Sequence, residues 1–370
     1  MATSSALFSP YTLRGVTFRN RIWVSPMCQY SADPSTGQPS AWHHQHYGAM
    51  AAGGTGLIVL EATGVLPEGR ITPGDLGLWE DAQIEPLAAL VSFMHSQGAM
   101  AGIQLQHAGR KASTSEMWSG STPLGLAEGG WTAEAPSAIA FEGYPEPRAL
   151  ETGDVWQLVK AFADAAVRAV AAGFDFIEIH GAHGYLVHQF LSPLTNQRSD
   201  AYGGSLENRC RFALEITNAI REAIPDDKVL AIRLSATDWV EGGWTPEETV
   251  QLVAWAKERG LDHADISTGG LTADAAVPVG PLYQVPFATQ VKQGAGISTN
   301  AVGLINTAED AENIVATGQA DAVMVGRGFM RNPHFPSEWA ATLGAPLDSL
   351  VPPQYSVARW EHYAPGRRRA

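Results

Sequence analysis

Short apolar segments alternate with longer amphipathic segments along most of the chain. Leu57–Leu60 is a continuous apolar run, which is typical of a strand covered on both faces. In Leu206–Ile224, apolar residues recur at steps of three or four and predict a helix with one buried stripe, and Ser205 is a suitable N-cap. Val155–Ala172 follows the same period, with Trp156 predicted on its buried stripe.

Eight strand–helix units follow a hairpin that is predicted at Tyr11–Phe18, with its turn at Arg14-Gly15. The predicted strands are Arg21–Ser25, Leu57–Leu60, Met100–Leu105, Asp175–His180, Val229–Leu234, His263–Ser267, Gly296–Thr299 and Ala322–Val325. The predicted helices are Trp42–Ala52, Ile84–Gln97, Val155–Ala172, Leu206–Ile224, Pro246–Arg259, Val285–Gln293, Thr307–Thr317 and Pro333–Leu343. Eight such units predict a closed (β/α)8 TIM barrel. An open doubly wound sheet is the alternative, but no G-x-G-x-x-G motif follows the first strand.

Two segments fall outside this repeat. Gln106–Asp154 is a long excursion after the third strand, rich in Gly, Pro and Ser, and we expect it to cap the barrel mouth. Ala345–Ala370 is a tail beyond the last helix. Nothing between the units resembles a linker, so we expect residues 1–370 to form a single domain.

Composition and charge exclude several classes of protein. The chain has 24 Lys and Arg against 38 Asp and Glu, a formal net charge of −14, which suits neither nucleic acid nor an anionic membrane. Its two cysteines, Cys28 and Cys210, supply neither a disulfide framework nor a zinc site. Residues 1–10 lack the pattern of a secretory signal and no apolar run has the length of a membrane span, so we expect a cytoplasmic protein.

The chemistry of a TIM barrel lies at the C-terminal ends of its strands, so the residues found there are the candidates for the site. They are Ser25, Pro26, Met27, Cys28 and Tyr30 (first strand), Ala62 (second), Gln104 (third), His180, His183 and Tyr185 (fourth), Arg233 (fifth), Val302 and Gly303 (seventh), and Gly326 and Arg327 (eighth). The last two strand ends are the usual phosphate site, where Gly303 and Gly326 allow close approach and Arg327 adds a permanent charge. The alternative is that these glycines only make tight turns and that Arg327 caps a helix.

His180 and His183 have three interpretations. As a metal pair they need a third ligand, as neutral imidazoles they can donate hydrogen bonds to a substrate oxygen, and otherwise they are structural. Strand alternation points Glu178 and His180 into the barrel, where Glu178 needs either a partner such as Arg233 or a raised pKa. The run His43-His44-Gln45-His46 lies in a predicted helix, so we interpret it as surface and packing histidines.

Cys28 and Tyr185, two side chains near the mouth, have two interpretations each. Cys28 is either a small buried residue or part of the site, and its position directly after the first strand favours the site. Cys210 lies on the apolar stripe of a helix and is predicted to be core. Tyr185 either packs or donates a proton, and Tyr30 can line a pocket for a planar group.

Several long strings in this order resemble the Old Yellow Enzyme family of flavin-dependent ene-reductases, in its thermophilic-like, xenobiotic-reductase-type subclass. The strings are Asn20-Arg21-Ile22, Ser25-Pro26-Met27-Cys28, Gln104-Leu105-Gln106-His107-Ala108-Gly109-Arg110, Glu178-Ile179-His180-Gly181-Ala182-His183-Gly184-Tyr185-Leu186, Phe190-Leu191-Ser192-Pro193, Tyr202-Gly203-Gly204-Ser205-Leu206-Glu207-Asn208-Arg209, Gly326-Arg327 and Asn332-Pro333. The resemblance runs from about Leu7 to the tail, and it implies a noncovalent FMN over the barrel mouth. By position, the flavin ring would contact Ser25, Pro26, Met27, Cys28 and Ala62, its pyrimidine edge Gln104 and Arg233, and its ribityl phosphate Val302, Gly303, Gly326 and Arg327.

The resemblance also implies a reaction. NADPH or NADH would reduce the flavin, and hydride would then pass to the β-carbon of an α,β-unsaturated carbonyl or nitro compound. His180 and His183 would bind the substrate oxygen, Tyr185 would protonate the α-carbon, and Cys28 would tune the flavin. Further substrate contacts are expected from Tyr30, Ile71 and Trp360.

In this subclass the tail of a neighbouring subunit can reach the site, and Tyr355, Arg359 and Trp360 are the matching residues here. The resemblance therefore implies a homodimer or homotetramer. The role of Arg367-Arg368-Arg369 is not predicted. Two other functions stay open, a metal-dependent hydrolase that uses His180 and His183, and a flavin-binding scaffold without turnover.

Overall fold

The computed structural model describes residues 5–358. In chain order the strands there are β1 (Tyr11–Leu13), β2 (Val16–Phe18), β3 (Ile22–Val24), β4 (Leu57–Gly64), β5 (Met100–Gln106), β6 (Glu134–Ala135), β7 (Arg148–Ala149), β8 (Phe176–Gly181), β9 (Val229–Ser235), β10 (His263–Ser267), β11 (Ser298–Ala301) and β12 (Ala322–Val325). The helices are α1 (Ala41–Ala52), α2 (Ile84–Ser96), α3 (Thr152–Ala171), α4 (Leu186–Leu191), α5 (Leu206–Ala223), α6 (Pro246–Lys257), α7 (Val285–Ala295), α8 (Ala308–Ala316), α9 (Arg327–Arg331) and α10 (Phe335–Leu343).

Eight parallel strands form a closed barrel, which confirms the predicted fold class. Their order is β3-β4-β5-β8-β9-β10-β11-β12, and β12 pairs back onto β3 through Val323 and Ile22. Strands of this ring bury both faces, one against the barrel interior and the other against the surrounding helices. Closure of the ring excludes the open doubly wound sheet.

The predicted hairpin is present, and it covers the N-terminal end of the barrel. β1 and β2 pair antiparallel. Val16 and Phe18 pack with Trp23 and Phe176, and the rings of Phe18 and Trp23 lie 4.8 Å apart between centroids. Because this end is filled with apolar side chains, the C-terminal end is the one available to a ligand.

The buried stripes of two helices were predicted, and the structure agrees with one of them better than with the other. In α5 the predicted stripe is buried, and the Ser205 hydroxyl accepts a hydrogen bond from the backbone N–H of Asn208, which confirms the N-cap. In α3 the predicted stripe is right at Phe162 and Ala166, which are buried, but wrong at Trp156, which is 63% exposed. The buried face of α3 contains Leu158 and Phe162 together with several alanines. A search for large apolar residues overlooks the alanines and therefore misplaces this face.

Two strands differ from their predicted bounds by more than one residue at an end. β4 continues to Gly64, so Glu61 and Ala62 lie within the strand rather than after it. The seventh barrel strand is Ser298–Ala301 rather than Gly296–Thr299. The reason is that Gly296 ends α7 in a left-handed conformation (φ +60°) and donates its N–H to the carbonyl of Lys292.

Several short elements were not predicted. They are α4 and α9 near the barrel mouth, and the β6–β7 pair within the excursion 106–154. α4 is buried on every side, so its sequence lacks the amphipathic period that reveals a surface helix. Among the helices of residues 5–358, none is both long and apolar enough to span a bilayer.

Candidate active site

A cavity of about 460 Å³ lies at the C-terminal end of the barrel. Its lining brings together the ends of the first, seventh and eighth barrel strands, including Ser25, Met27, Cys28, Tyr30, Val302, Gly303, Gly326 and Arg327. All eight were predicted site residues. A larger groove of about 730 Å³ lies outside the barrel between α3, α5 and α6, but it contains none of the predicted residues.

One end of this cavity is shaped for an anion. A Cβ atom on Gly303, where φ is +109°, would lie 2.8 Å from Nε2 of Gln284, so only glycine fits there without a shift. A Cβ atom on Gly326 would lie 3.2 Å from the sulfur of Met27. Arg327 is exposed, and no hydrogen bond or ion pair within residues 5–358 engages its guanidinium. This cradle with an unpaired cation fits the phosphate of a flavin nucleotide.

Arg233 and Gln104 are buried inside the barrel, and Arg233 contacts the cavity lining through Ser25. Arg233 donates a hydrogen bond from Nη1 to the Ser25 hydroxyl at 2.9 Å, and its Nε lies 3.0 Å from Oδ2 of Asp265. Gln104 donates from Nε2 to Oε1 of Glu178 at 2.8 Å. No hydrogen bond in the described part of the chain engages the amide oxygen of Gln104, so it can accept one from a ligand.

The prediction that Arg233 pairs with Glu178 is wrong. Arg233 lies directly opposite Asp265 in the β9–β10 register and opposite His180 in the β8–β9 register, whereas Glu178 is opposite Ala231. Asp265 is therefore the nearer carboxylate. The alternative prediction, a raised pKa, agrees with the environment of Glu178: burial and the neighbouring Asp265 raise its pKa to about 8.

The two predicted imidazoles lie beside each other at the end of β8. The ring centroids of His180 and His183 are 5.4 Å apart, and the ring of Tyr185 lies 5.0 Å from that of His180. Burial, and then the positive charge of Arg233, lower the pKa of both histidines well below its usual value, so both are neutral. Nδ1 of His180 accepts the backbone N–H of Ala182 at 3.4 Å, which places its ring proton on Nε2.

The metal interpretation of His180 and His183 gains no support from their surroundings. Within residues 5–358, no three His, Cys, Asp or Glu side chains are grouped so as to hold a metal ion. A catalytic zinc site needs three protein ligands, so the pair alone does not make one.

Tyr185 and Lys111 form the next part of the site. Burial, and then the neighbouring Cys28, raise the pKa of Tyr185 well above its usual value, so the phenol keeps its proton. The Nζ atom of Lys111 lies 5.0 Å from the centre of the Tyr185 ring and donates to the carbonyl of His183 at 2.9 Å. Burial lowers the pKa of Lys111 to about 8. Lys111 was not predicted, although it directly follows the string that ends at Arg110.

Apolar contacts connect the remaining predicted residues. Ile71 packs in one cluster with Cys28, Tyr30 and Tyr185. Trp131, from the excursion 106–154, joins that cluster. Burial, and then the acidic groups nearby, raise the pKa of the Cys28 thiol well above its usual value. Cys28 is therefore a thiol rather than a reactive thiolate.

The histidine run of α1 is divided by burial. His44 is exposed, but His43 is fully buried and its Nε2 lies 3.2 Å from Oε1 of Glu61. The other oxygen of Glu61 accepts the backbone N–H of Gln29 at 2.6 Å. His43 thus supports the loop that carries Cys28, which the interpretation as surface and packing histidines did not include.

The predicted tail residues are only partly described. Arg359 and Trp360 lie outside the described residues, as do Arg367-Arg368-Arg369. Tyr355 is described, and its ring lies 5.8 Å from that of His334, at a different place from the mouth cavity.

A closed eight-stranded barrel with a glycine-lined cradle, an unpaired arginine and two neutral imidazoles at its mouth fits the class of flavin-dependent barrel oxidoreductases. Residues 6–344 match the model of the NADH:flavin oxidoreductase / NADH oxidase family, and the chain belongs to this family, the Old Yellow Enzyme family.

Relatives and solved structures agree with that assignment. The chain is 47% identical over 355 residues to an NADPH dehydrogenase of Listeria monocytogenes, covering 96% of this chain and 99% of that protein. Morphinone reductase superposes with a TM-score of 0.77 at 30% identity, covering 95% of this chain and 92% of that one. The old yellow enzyme homologue of Zymomonas mobilis gives 0.76 at 26% identity, covering 96% and 99%. The chain is therefore an FMN-dependent NAD(P)H oxidoreductase.

Proposed function

We propose that this enzyme reduces the C=C bond of α,β-unsaturated carbonyl or nitro compounds. The observation that carries the proposal is the pair of neutral imidazoles of His180 and His183. Their ring centroids are 5.4 Å apart, and a protonated Tyr185 lies beside them. When bound, FMN supplies the hydride that NAD(P)H provides. The residues proposed to hold it are Ser25, Pro26, Met27, Cys28, Ala62, Gln104, Arg233, Val302, Gly303, Gly326 and Arg327.

The first task of the protein is to bind the substrate oxygen. Negative charge develops on that oxygen when hydride reaches the β-carbon, and fixed hydrogen-bond donors stabilise this charge more than they stabilise the neutral substrate. His180 has a proton on Nε2 because its Nδ1 accepts the Ala182 N–H. We assign the oxygen to Nε2 of His180 and to the ring of His183, with Lys111 as a nearby positive charge.

The second task is to deliver a proton to the α-carbon. Tyr185 packs with Cys28, Tyr30 and Ile71, a largely apolar wall that excludes water from its ring. Its raised pKa makes it a poor acid toward water, but an enolate carbon is basic enough to take the phenolic proton. Tyr185 is the proposed proton donor, and Tyr30 and Ile71 are proposed to contact the substrate.

The test uses the FMN-loaded enzyme under anaerobic conditions with NADPH and 2-cyclohexen-1-one. We expect cyclohexanone, with one deuterium at the α-carbon when the solvent is D₂O. His180→Ala combined with His183→Ala should lower kcat/KM for the enone by about 100-fold or more, and Tyr185→Phe should remove most proton transfer.

Three results would count against the proposal. Flavin that is reduced by NADPH but never reoxidised by the enone would favour the scaffold without turnover. Unchanged enone kinetics in the double histidine variant would remove the oxygen-binding role. Loss of enone reduction on addition of a chelator would assign a role to a metal ion, which the proposal does not include.

We also propose a homodimer or homotetramer in which the tail of one subunit, including Tyr355, Arg359 and Trp360, contributes to the site of its neighbour. The support is the resemblance to the subclass in which a tail reaches across.

A further inference from the structure

Three polar side chains, those of Ser267, Thr268 and Gln284, form a hydrogen-bonded group next to the ring of His183. The hydroxyl of Ser267, the last residue of β10, lies 2.8 Å from Nε2 of His183. The same hydroxyl lies 3.2 Å from Oε1 of Gln284, which also accepts a hydrogen bond from the Thr268 hydroxyl at 2.8 Å. The end of the sixth barrel strand was not among the predicted site residues, although the strand-end rule includes it.

The number of hydrogens in this group is limited. His183 is neutral, because burial and the neighbouring Arg233 lower its pKa, so its ring has one N–H. The Ser267 hydroxyl also has one hydrogen. If Ser267 donates to Gln284, His183 must donate from Nε2 to Ser267, and its Nδ1 can then only accept. If Ser267 instead donates to Nε2, the ring proton of His183 lies on Nδ1.

The distances favour the second arrangement. The Ser267 hydroxyl lies 2.8 Å from Nε2 of His183 and 3.2 Å from Oε1 of Gln284, so the histidine nitrogen is nearer by 0.4 Å. Gln284 already receives a hydrogen from Thr268 at the shorter of its two contacts. Within residues 5–358 no hydrogen bond engages Nδ1 of His183, so a proton there is available to a ligand. We propose that Ser267 is a positioning residue that donates to Nε2 of His183 and thereby holds the ring proton of His183 on Nδ1.

The two histidines therefore reach their donor forms by different means. A backbone N–H, that of Ala182, sets the tautomer of His180. A side-chain hydroxyl sets the tautomer of His183, so a single substitution can reverse it. The tautomer of His183 does not depend on any reaction. Only its consequence, that Nδ1 of His183 donates to the substrate oxygen, rests on the proposed function.

The direct test is ¹⁵N NMR of histidine-labelled, FMN-loaded enzyme. In the wild type we expect the Nδ1 resonance of His183 to be of the protonated type and that of Nε2 to be of the unprotonated type. Ser267→Ala should move the proton toward Nε2, and Ser267→Thr, which keeps the hydroxyl, should restore the wild-type pattern. Thr268→Ala should give a partial shift in the same direction as Ser267→Ala, because Gln284 then competes more strongly for the Ser267 hydrogen.

Ser235→Ala is the matched control. The Ser235 hydroxyl accepts the backbone N–H of His183 at 3.0 Å and does not bond the ring, so its loss should leave the ring proton on Nδ1. FMN content, measured by absorbance, verifies that each variant is folded. A wild-type ring protonated on Nε2, or a Ser267→Ala ring still protonated on Nδ1, would overturn the assignment.

Kinetics separate this inference from the proposed function. With 2-cyclohexen-1-one as the probe, Ser267→Ala should lower kcat/KM by about 10- to 100-fold, which is no more than the loss of one direct donor to a developing oxyanion costs, and Ser267→Thr should recover most of it. A shifted tautomer with unchanged enone kinetics would support Ser267 as the positioning residue and reject His183 as an oxygen donor.

Discussion

Glu178 is a carboxylic acid inside the barrel, with one oxygen bonded to Gln104 and the other without a hydrogen-bond partner among the described residues. Burial raises its pKa from 4.5 to about 8. The folded protein therefore keeps a proton that the unfolded chain loses above about pH 4.5. The resulting contribution to stability is complete below that pH and is lost as the pH rises toward 8, at a limiting slope of about 1.4 kcal/mol per pH unit.

Glu178→Gln should remove this dependence, because the amide can still accept from Gln104 and does not ionise. We expect the Tm of the variant to rise relative to that of the wild type between pH 6 and pH 8. The measurement is thermal unfolding of the FMN-loaded proteins at several pH values. Parallel curves for the two proteins would show that Glu178 does not titrate in this range.

Residue identity could be predicted best where the chemistry is contiguous in the chain. His180, His183 and Tyr185 follow one strand, so the strand-end rule was enough to group them. The partners of site residues come from other strands: Ser267, which contacts His183, and Asp265, which pairs with Arg233, both lie on β10. Which carboxylate meets Arg233 depends on a two-residue difference in register, and the sequence of one strand does not contain that information.

At the scale of elements, β4 and α1 act together through His43 and Glu61. Both side chains are fully buried, and Glu61 also accepts a hydrogen bond from the Tyr47 hydroxyl at 3.0 Å. Nδ1 of His43 accepts the backbone N–H of Ser40, which places the ring proton on Nε2, the ring nitrogen that lies 3.2 Å from Oε1 of Glu61. A helix and a strand are thereby joined directly beneath the loop that carries Cys28.

His43→Ala should lower the free energy of unfolding by about 3 kcal/mol, because it leaves a buried carboxylate with fewer partners. His44→Ala, one residue along the same helix and exposed, should stay within about 0.5 kcal/mol of the wild type. Urea unfolding measures both. Equal stability of the two variants would mean that the contact between His43 and Glu61 contributes nothing to stability.

Element type could be predicted from periodicity, but bounds and short elements could not. Gly296 begins a predicted strand, yet its backbone adopts the left-handed conformation that ends α7. α4 is buried on every side, and the β6–β7 pair has two residues in each strand, so neither leaves a period to detect.

At the scale of the whole molecule, closure of the barrel determines where ligands can bind. Eight strand–helix units could be counted in the sequence, and a ring of eight leaves no free edge. The hairpin then fills one end, which directs all of the strand-end chemistry to the other.

Shared sites make a measurable prediction about assembly. If the tail of one subunit contributes to the site of its neighbour, a chain ending at Gln354 should have a raised KM for 2-cyclohexen-1-one while FMN content stays normal. A chain ending at Ala358 keeps Tyr355 against His334 and separates its contribution from that of Arg359 and Trp360. Mixing the chain that ends at Gln354 with a full-length His180→Ala, His183→Ala protein should restore the wild-type KM, because the intact barrel then receives an intact tail. An unchanged KM on truncation, or a raised KM that mixing fails to restore, would contradict a site completed by a neighbour.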